Sequence, residues 1–427
     1  MVSKPRRQIE FVESTVQLLR EYGFDGIDLD WEYGAITYSG VDKTKYSGLC
    51  RRLVNTFENE CVKSRKTRLL LTTTVGTIKE NVDAVYDIPE MIKHVDFFNL
   101  ATDNLYRQVQ DLGNQTSHHS PLVSRPNDTA RESEFNMQWA ARYWVQQGVP
   151  KSKINIGVSL EALSYILNNP ANYEIGSVFN RIGDAGLYTG TPGVLSYYEV
   201  CLLLEQGGQS YRDYFIPYLV DGDLWVAYDD EQSLKDKVEW LVHEGYGGTV
   251  AYEIASDDFD FICNSSYRRF PLLNQIKDSL QAAEQKPSKY RQVCTFTVWA
   301  GDRPDGFTPW DIDPEVCTHI TVSYATVRND RLAPLYAQDL KLYRQINRLK
   351  NIYPNLKTIL SVGGWESGSA AFSNMVSNRL SMFTFMLRHA FDSECLRSGK
   401  DRYLLTASVS PEKDVIDASY DTASMAR

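Results

Sequence analysis

Four acidic residues stand at short intervals in the segment FDGIDLDWEY: Asp25, Asp28, Asp30 and Glu32. Read as a strand, the segment points Asp28, Asp30 and Glu32 to one face and Ile27, Leu29 and Trp31 to the other. Same-face neighbours lie roughly 6–7 Å apart along the backbone, so Asp30 and Glu32 address one reacting centre. Carboxylates crowded on one interior face repel, and at least one is expected to hold its proton near neutral pH. A protonated carboxyl of that kind is a general acid. Two blander readings are a solvated edge strand and a hard-cation site. The apolar opposite face fits an edge strand poorly, and no EF-hand-like loop is present to hold calcium.

The elements around this strand alternate. Ile9, Val12, Val16 and Leu19 mark a helix face that stops at Gly23. Tyr46, Leu49, Cys50, Leu53 and Phe57 form a second helical stripe. RLLLTTTV, VDFFNLA, INIGV and TVAYE read as short buried strands, as do VCTFTVWA, HITVSYA and LKTILSVGGW further on. Strands alternating with helices imply βα units around a parallel sheet. A longer insertion, about 164–229, separates INIGV from TVAYE, and its segment FIPYLVDGDLWVAYDD reads as a hairpin turning at Asp221-Gly222. Trp225 and Tyr228 in that insertion read as core. His118-His119 reads as a solvated loop rather than a metal pair, because adjacent side chains diverge in regular structure.

The 427 residues suffice for one large domain or two to three ordinary ones, and 43% of them are hydrophobic. A net charge of −10 with dispersed Lys and Arg argues against nucleic acid or an anionic membrane and fits a neutral or cationic substrate. Twenty-six Tyr and eight Trp are a high share; most of these rings read as core, and sugar clefts also use exposed aromatic faces for stacking. The seven cysteines show no Cys-x-x-Cys spacing. Asn114, Asn127 and Asn264 begin N-x-[ST] triplets that hint at a secreted parent, whereas Met1 leads into a polar, basic segment and not a signal peptide.

The chain also repeats itself. Met1-Val2-Ser3 matches Met375-Val376-Ser377, residues 57–75 match 391–409, and 81–87 match 414–421. The second copy lacks the acidic strand, so the chain carries parts of two similar modules, with a boundary in the polar segment 284–292.

The D-x-x-D-x-D-x-E pattern of FDGIDLDWEY resembles the acidic strand of glycoside hydrolase family 18, the chitinases and chitinase-like lectins. LKTILSVGGW resembles the family's third-strand motif, VCTFTVWA with DPEVCTHI its opening strands, and GVLSYYEVC with the GGTVAYE–DDF–C–FPLL run its closing part. The resemblance implies an α/β fold, a (β/α)8 barrel with its site at the C-terminal ends of the strands, and a small α+β insertion after the seventh strand. It implies substrate-assisted retention on β-1,4-linked N-acetylglucosamine, in chitin or its oligomers. Glu32 protonates the leaving oxygen, Asp30 orients the acetamido group that attacks the anomeric carbon, and Asp28 tunes Asp30. No metal or organic cofactor is implied. Trp365, Trp299, Tyr252, Tyr33, Asp103, Asn104 and Gly364 are implied to contact substrate, with Asp25 structural. Cys201–Cys263 and Cys294–Cys317 match family disulfides, Cys61 and Cys395 have no clear partner, and Cys50 reads as a buried thiol. An extracellular setting follows from the same likeness.

Several positions depart from the family. Its M-T-Y-D becomes Ala101-Thr102-Asp103-Asn104, which loses a tyrosine donor; loss of one such donor costs roughly 10²–10³ in rate. P-x-Y-G-R becomes Ser159-Leu160-Glu161-Ala162-Leu163, Tyr252 replaces a Trp, and Thr326 stands where Phe is usual. By the same likeness, residues 1–283 carry strands four to eight and 293–376 carry strands one to three. A 284–292 linker reaches roughly 30 Å when extended. The second part therefore closes a circularly permuted barrel on the first, as a monomer or through a swapped dimer, unless the chain is an incomplete gene product. Residues 377–427 are left over as a peripheral or poorly ordered partial repeat. Hydrolase and chitin-binding lectin both remain open.

Overall fold

The computed structural model describes residues 5–31, 43–105, 113–264, 267–282, 290–304 and 306–363. Helix α1 (Pro5–Tyr22) leads into β1 (Gly26–Asp30), followed by α2 (Lys43–Ser64), β2 (Leu70–Val75), α3 (Lys79–Val85), α4 (Ile88–Met91), β3 (Phe97–Leu100), α5 (Met137–Gln146) and β4 (Ile154–Ser159). The insertion supplies β5 (Glu161–Leu167), β6 (Phe179–Ile182), β7 (Val194–Ser196), α6 (Tyr197–Glu205), β8 (Gln209–Asp213), β9 (Ile216–Asp221) and β10 (Leu224–Ala227). Then come α7 (Glu231–Glu244), β11 (Gly248–Tyr252), α8 (Pro271–Ala282), β12 (Arg291–Thr297), β13 (His319–Arg328), β14 (Arg331–Pro334), α9 (Asp339–Arg348) and β15 (Lys357–Gly363).

Eight parallel strands run in the order β12-β11-β4-β3-β2-β1-β15-β13, and a β12–β13 pairing closes the ring. β1 sits between β2 and β15, with Asp28 level with Thr72 on one side and Ser361 on the other. This is the (β/α)8 barrel expected, and strands from both ends of the chain complete it in permuted order. All seven strand segments picked from the sequence lie in the ring beside β1. The 284–292 linker falls mostly, and the 377–427 remainder entirely, outside the described residues.

One core serves both ends of the chain. Phe11, Leu19, Phe24, Tyr343 and Ile346 share a buried apolar cluster, and the Phe24 and Tyr343 rings meet edge to face at 5.4 Å. The Leu332 N–H donates to Ser14 Oγ at 3.0 Å, and Lys350 Nζ donates to the Gly23 carbonyl at 2.6 Å. Helix α1 stops where Gly23 takes a φ of +82°, allowing its N–H to close on the Leu19 carbonyl at 2.9 Å. Its buried face is Phe11, Val12, Thr15, Leu19 and Tyr22, while Ile9 and Val16 are half-buried. The expected face was therefore rotated slightly from the real one, because the helix packs on β14 and α2 as well as on the ring. In α2 all five stripe residues are fully buried.

Across β1 the alternation holds: Ile27, Leu29 and Trp31 are buried outward, and Trp31 stacks on Tyr46 at 4.8 Å. The insertion is a six-stranded antiparallel sheet with α6, and β9 and β10 form the expected hairpin, with Gly222 at φ +60°. Trp225 and Tyr228 are core, as expected. Strand β14 was not read from the sequence. It pairs back on β13 through Asn329 and Asp330, both at positive φ (52° and 62°), a turn that favours those residues.

Candidate active site

A cavity of about 730 Å³ opens at the C-terminal ends of the barrel strands, where Asp30, Asp103, Tyr252 and Trp299 line it. The tip of β1 reaches this hollow because Asp28 and Asp30 face the barrel interior, as the alternation requires.

Asp28 is fully buried one layer below. Its Oδ1 accepts from Thr72 Oγ1 at 2.6 Å and Asn99 Nδ2 at 3.3 Å. Its Oδ2 accepts from Thr74 Oγ1 at 2.9 Å and Ser361 Oγ at 3.3 Å. Burial raises the Asp28 carboxyl above its ordinary value, and these four donors only partly offset the rise. The expectation that one acid of the strand holds its proton more tightly than usual therefore falls on Asp28. Behind it a polar relay descends the barrel. Asn155 Nδ2 donates to Asn99 Oδ1 at 2.9 Å, and Arg291 Nε donates to Asn155 Oδ1 at 3.0 Å. This relay joins three strands and was not anticipated, since no local spacing links its members.

Asp30 is buried to 8% exposure and borders the cavity, level with Thr74 and Gly363. Glu32, Tyr33, Gly364 and Trp365 lie outside the described residues, as does Cys395. Asp103 and Asn104 line the cavity beyond β3. Their segment folds in tightly over Gly157, where a Cβ would meet the Leu100 carbonyl at 2.5 Å and the Thr102 nitrogen at 2.8 Å. Tyr252 and Trp299 also border the hollow, Trp299 lying 6.0 Å from the Tyr324 ring. Thr326 is half-buried on β13. Asp25 stands at the opposite end of β1, where Oδ2 accepts from the Thr358 N–H at 2.9 Å and pairs with Lys350 Nζ at 2.6 Å. It ties β1 to β15 far below the cavity.

One cleft group was missed. Arg303 borders the cavity and forms a close ion pair with the buried Glu253, while Glu161, also bordering the cavity, lies 4.0 Å away. Thr297 Oγ1 closes the other side of Glu253 with a short hydrogen bond. Burial alone would pull the Arg303 guanidinium down, but Glu253 and then Glu161 outweigh it and raise it. These residues come from separate segments, so only the closed ring brings them together.

The reading of His118-His119 as a solvated loop is corrected. Both rings are buried and stacked at 4.6 Å, and His119 borders the cavity. His118 Nε2–H donates to the Tyr228 carbonyl at 2.9 Å and Nδ1 accepts from the Ser120 N–H at 3.0 Å. That pattern is the neutral tautomer, and burial followed by the Lys237 charge holds the ring well below its ordinary value. The loop is buried because the insertion packs over it, through the Tyr228 carbonyl and the Thr116 N–H to Ser177 carbonyl bond at 2.8 Å. Among the described residues no three His, Cys, Asp or Glu side chains gather as a metal site, and no helix is long and apolar enough to cross a membrane.

Cys201–Cys263 and Cys294–Cys317 are disulfides, with Cα atoms 5.4 and 5.9 Å apart. Cys50 is a buried free thiol and Cys61 is free and half-buried.

A closed (β/α)8 barrel with Asp28 and Asp30 facing its interior beneath a cleft is the architecture of a barrel protein that carries its site at the C-terminal ends of the strands. The family model described as Glycosyl hydrolases family 18 matches residues 1–257 and 291–386, and the chain belongs to that family. It is 32% identical over 295 residues to mouse Chitotriosidase-1, covering 69% of this chain and 62% of that relative. An immunomodulatory active chitinase of Trichuris suis superposes with a TM-score of 0.61 at 32% identity, covering 65% of this chain and 75% of that one. Human YKL-39, a pseudo-chitinase with retained chitooligosaccharide binding properties, gives 0.61 at 32% identity over 66% and 76% of the two chains.

Proposed function

We propose that this chain hydrolyses β-1,4-linked N-acetylglucosamine in chitin or its oligomers, by substrate-assisted retention with no enzyme nucleophile. The observation that carries this reading is the interior placement of Asp28 and Asp30, one buried beneath the cavity and one bordering it, two and one alternate positions before Glu32. In this mechanism Glu32 protonates the glycosidic oxygen as the bond breaks. The carbonyl oxygen of the substrate's acetamido group attacks the anomeric carbon, and the Asp30 carboxylate orients that group and stabilises the positive charge on the ring it forms. Water then opens the intermediate, with Glu32 taking back the proton. Asp28 holds Asp30 in register through the strand. Trp299 and Tyr252 offer aromatic faces to the sugars in the hollow that Asp103 and Asn104 also border, and Tyr33, Gly364 and Trp365 are proposed as further substrate contacts.

A second reading, a chitin-binding lectin, draws support from the remodelled wall: Asp103 replaces a tyrosine donor, and Glu161 and Leu163 border the cavity where the family carries Tyr and Arg. Initial products from a chito-oligosaccharide, followed by proton NMR, separate the readings. Retention releases the β-anomer first. An α-anomer burst contradicts the mechanism, and binding without release supports the lectin. Residues 290–363 pair with the strands of residues 5–282 in one ring, which supports a self-closed, permuted monomer over a swapped dimer or an incomplete product. The two disulfides support an oxidising, extracellular setting.

A further inference from the structure

A second hollow, of about 390 Å³, shares none of its lining residues with the cleft. It begins where Lys79 opens α3 and Asn136 caps α5, the helices that follow β2 and β3. Thr74 and Leu100, near the ends of those two strands, border the cleft. The second hollow therefore starts on the same rim of the barrel, in the helix layer outside the ring. Two of its lining residues are rings one helical turn apart on α5: Trp139 and Tyr143 stack at 5.0 Å and within 9° of parallel. Both are held in place. The Trp139 N–H donates to Asn136 Oδ1 at 2.9 Å, and the Tyr143 hydroxyl makes a short hydrogen bond to Asp83. Lys79 Nζ lies 5.4 Å from the centre of the Tyr143 ring and pairs with Asp83 at 2.6 Å. Trp139 is half-buried, and the exposed Arg142 and Gln146 flank it together with Gln138. Charge is balanced here: Asp83 offsets Lys79, and Glu134 and Arg142 bring one charge of each sign. A fixed aromatic face beside amide and guanidinium donors, with no excess of either sign, suits a neutral ligand that has an apolar C–H face and a rim of hydroxyl and amide groups.

We propose that this hollow is a second carbohydrate site, which takes N-acetylglucosamine units of a chitin chain with Trp139 as its stacking platform. The proposal rests on the reading of the cleft for the identity of the sugar, and it goes beyond that reading by assigning a separate site for the polymer. A chitin surface presents sugars to both sites of one molecule, and two linked contacts hold it more firmly than either alone. Binding reports the site whether or not the cleft turns over.

The test measures adsorption of the full-length chain to colloidal chitin beside its Kd for soluble chitotetraose, which the larger cleft dominates. Trp139→Ala weakens adsorption by about threefold to tenfold, the size of one aromatic contact, while its Kd for chitotetraose stays at the wild-type value. Trp139→Phe, which keeps a ring, retains most of the adsorption. Arg142→Ala changes an exposed side chain, spares the fold and weakens adsorption in the same direction. Trp299→Ala, in the cleft, weakens the binding of chitotetraose as well as adsorption. Adsorption that Trp139→Ala and Arg142→Ala both leave unchanged overturns the proposal. So does a Trp139→Ala loss that chitotetraose shares in equal measure, since that would place the damage in the cleft. Chitotetraose binding without any role for Trp139 on the polymer defeats only this proposal, whereas adsorption through Trp139 by a chain that does not bind chitotetraose defeats only the reading of the cleft. A chain that binds neither ligand defeats both.

Discussion

Replacing Asp28 by Asn separates the chemistry of the acidic strand from its packing. Asn is isosteric, and its amide keeps an acceptor for one pair of neighbours while the Thr74 and Ser361 hydroxyls can turn to accept from its NH2. Asp28→Asn should therefore lie within about 1 kcal/mol of wild type in stability, whereas Asp28→Ala, which strands several buried donors, should lose about 2–4 kcal/mol. The sign of the pH effect follows from the raised carboxyl. The folded chain holds this proton more tightly than the unfolded chain, so the contribution is complete below the ordinary carboxylate value and is lost as pH rises through the folded value. Asn does not titrate, and Asp28→Asn should gain on wild type as pH rises. Urea unfolding of the three proteins at acid and neutral pH measures this, beside hydrolysis, which should fall by about 10²-fold in Asp28→Asn because the titrating carboxyl that tunes Asp30 in the proposed mechanism is gone. A loss of more than about 2 kcal/mol in Asp28→Asn that deepens with pH would refute the reasoning, since it would mean an ionised Asp28 held by its donors.

His319 lies at the base of the barrel, its ring 5.6 Å from Phe97, and burial followed by the Arg291 charge lowers it from 6.5 to about 4. Its contribution is complete above 6.5 and is lost as pH falls to about 4, so urea midpoints should drop across that window and drop less in His319→Gln. On size-exclusion chromatography the chain should run as a compact monomer at all concentrations; a dimer that grows with concentration would point to exchange of residues 293–376 between chains.

Much of the ring was legible because buried parallel strands are short apolar runs, and because polar residues inside such a run, as in Asp28 and Asp30, are too costly to be accidental. Tyr252 and Trp299 border the cavity. What stayed hidden depends on closure in three dimensions. Asn99 reaches Asp28, Asn155 reaches Asn99 and Arg291 reaches Asn155, a chain of contacts from three different strands that only the closed ring assembles, and Arg303 meets Glu253 and Glu161 only where distant segments converge. His118 and His119 were misjudged because a polar dipeptide between elements looks solvated until an inserted sheet covers it. The hairpin turn at Asn329-Asp330 did carry a local signal that could have revealed β14.

Hydrolysis of a fluorogenic chito-oligosaccharide by wild type and by Glu32→Gln probes the proton donor directly. The account predicts measurable release by wild type and a fall of about 10²–10⁴-fold in Glu32→Gln. Equal release from both proteins, or background from both, would contradict it.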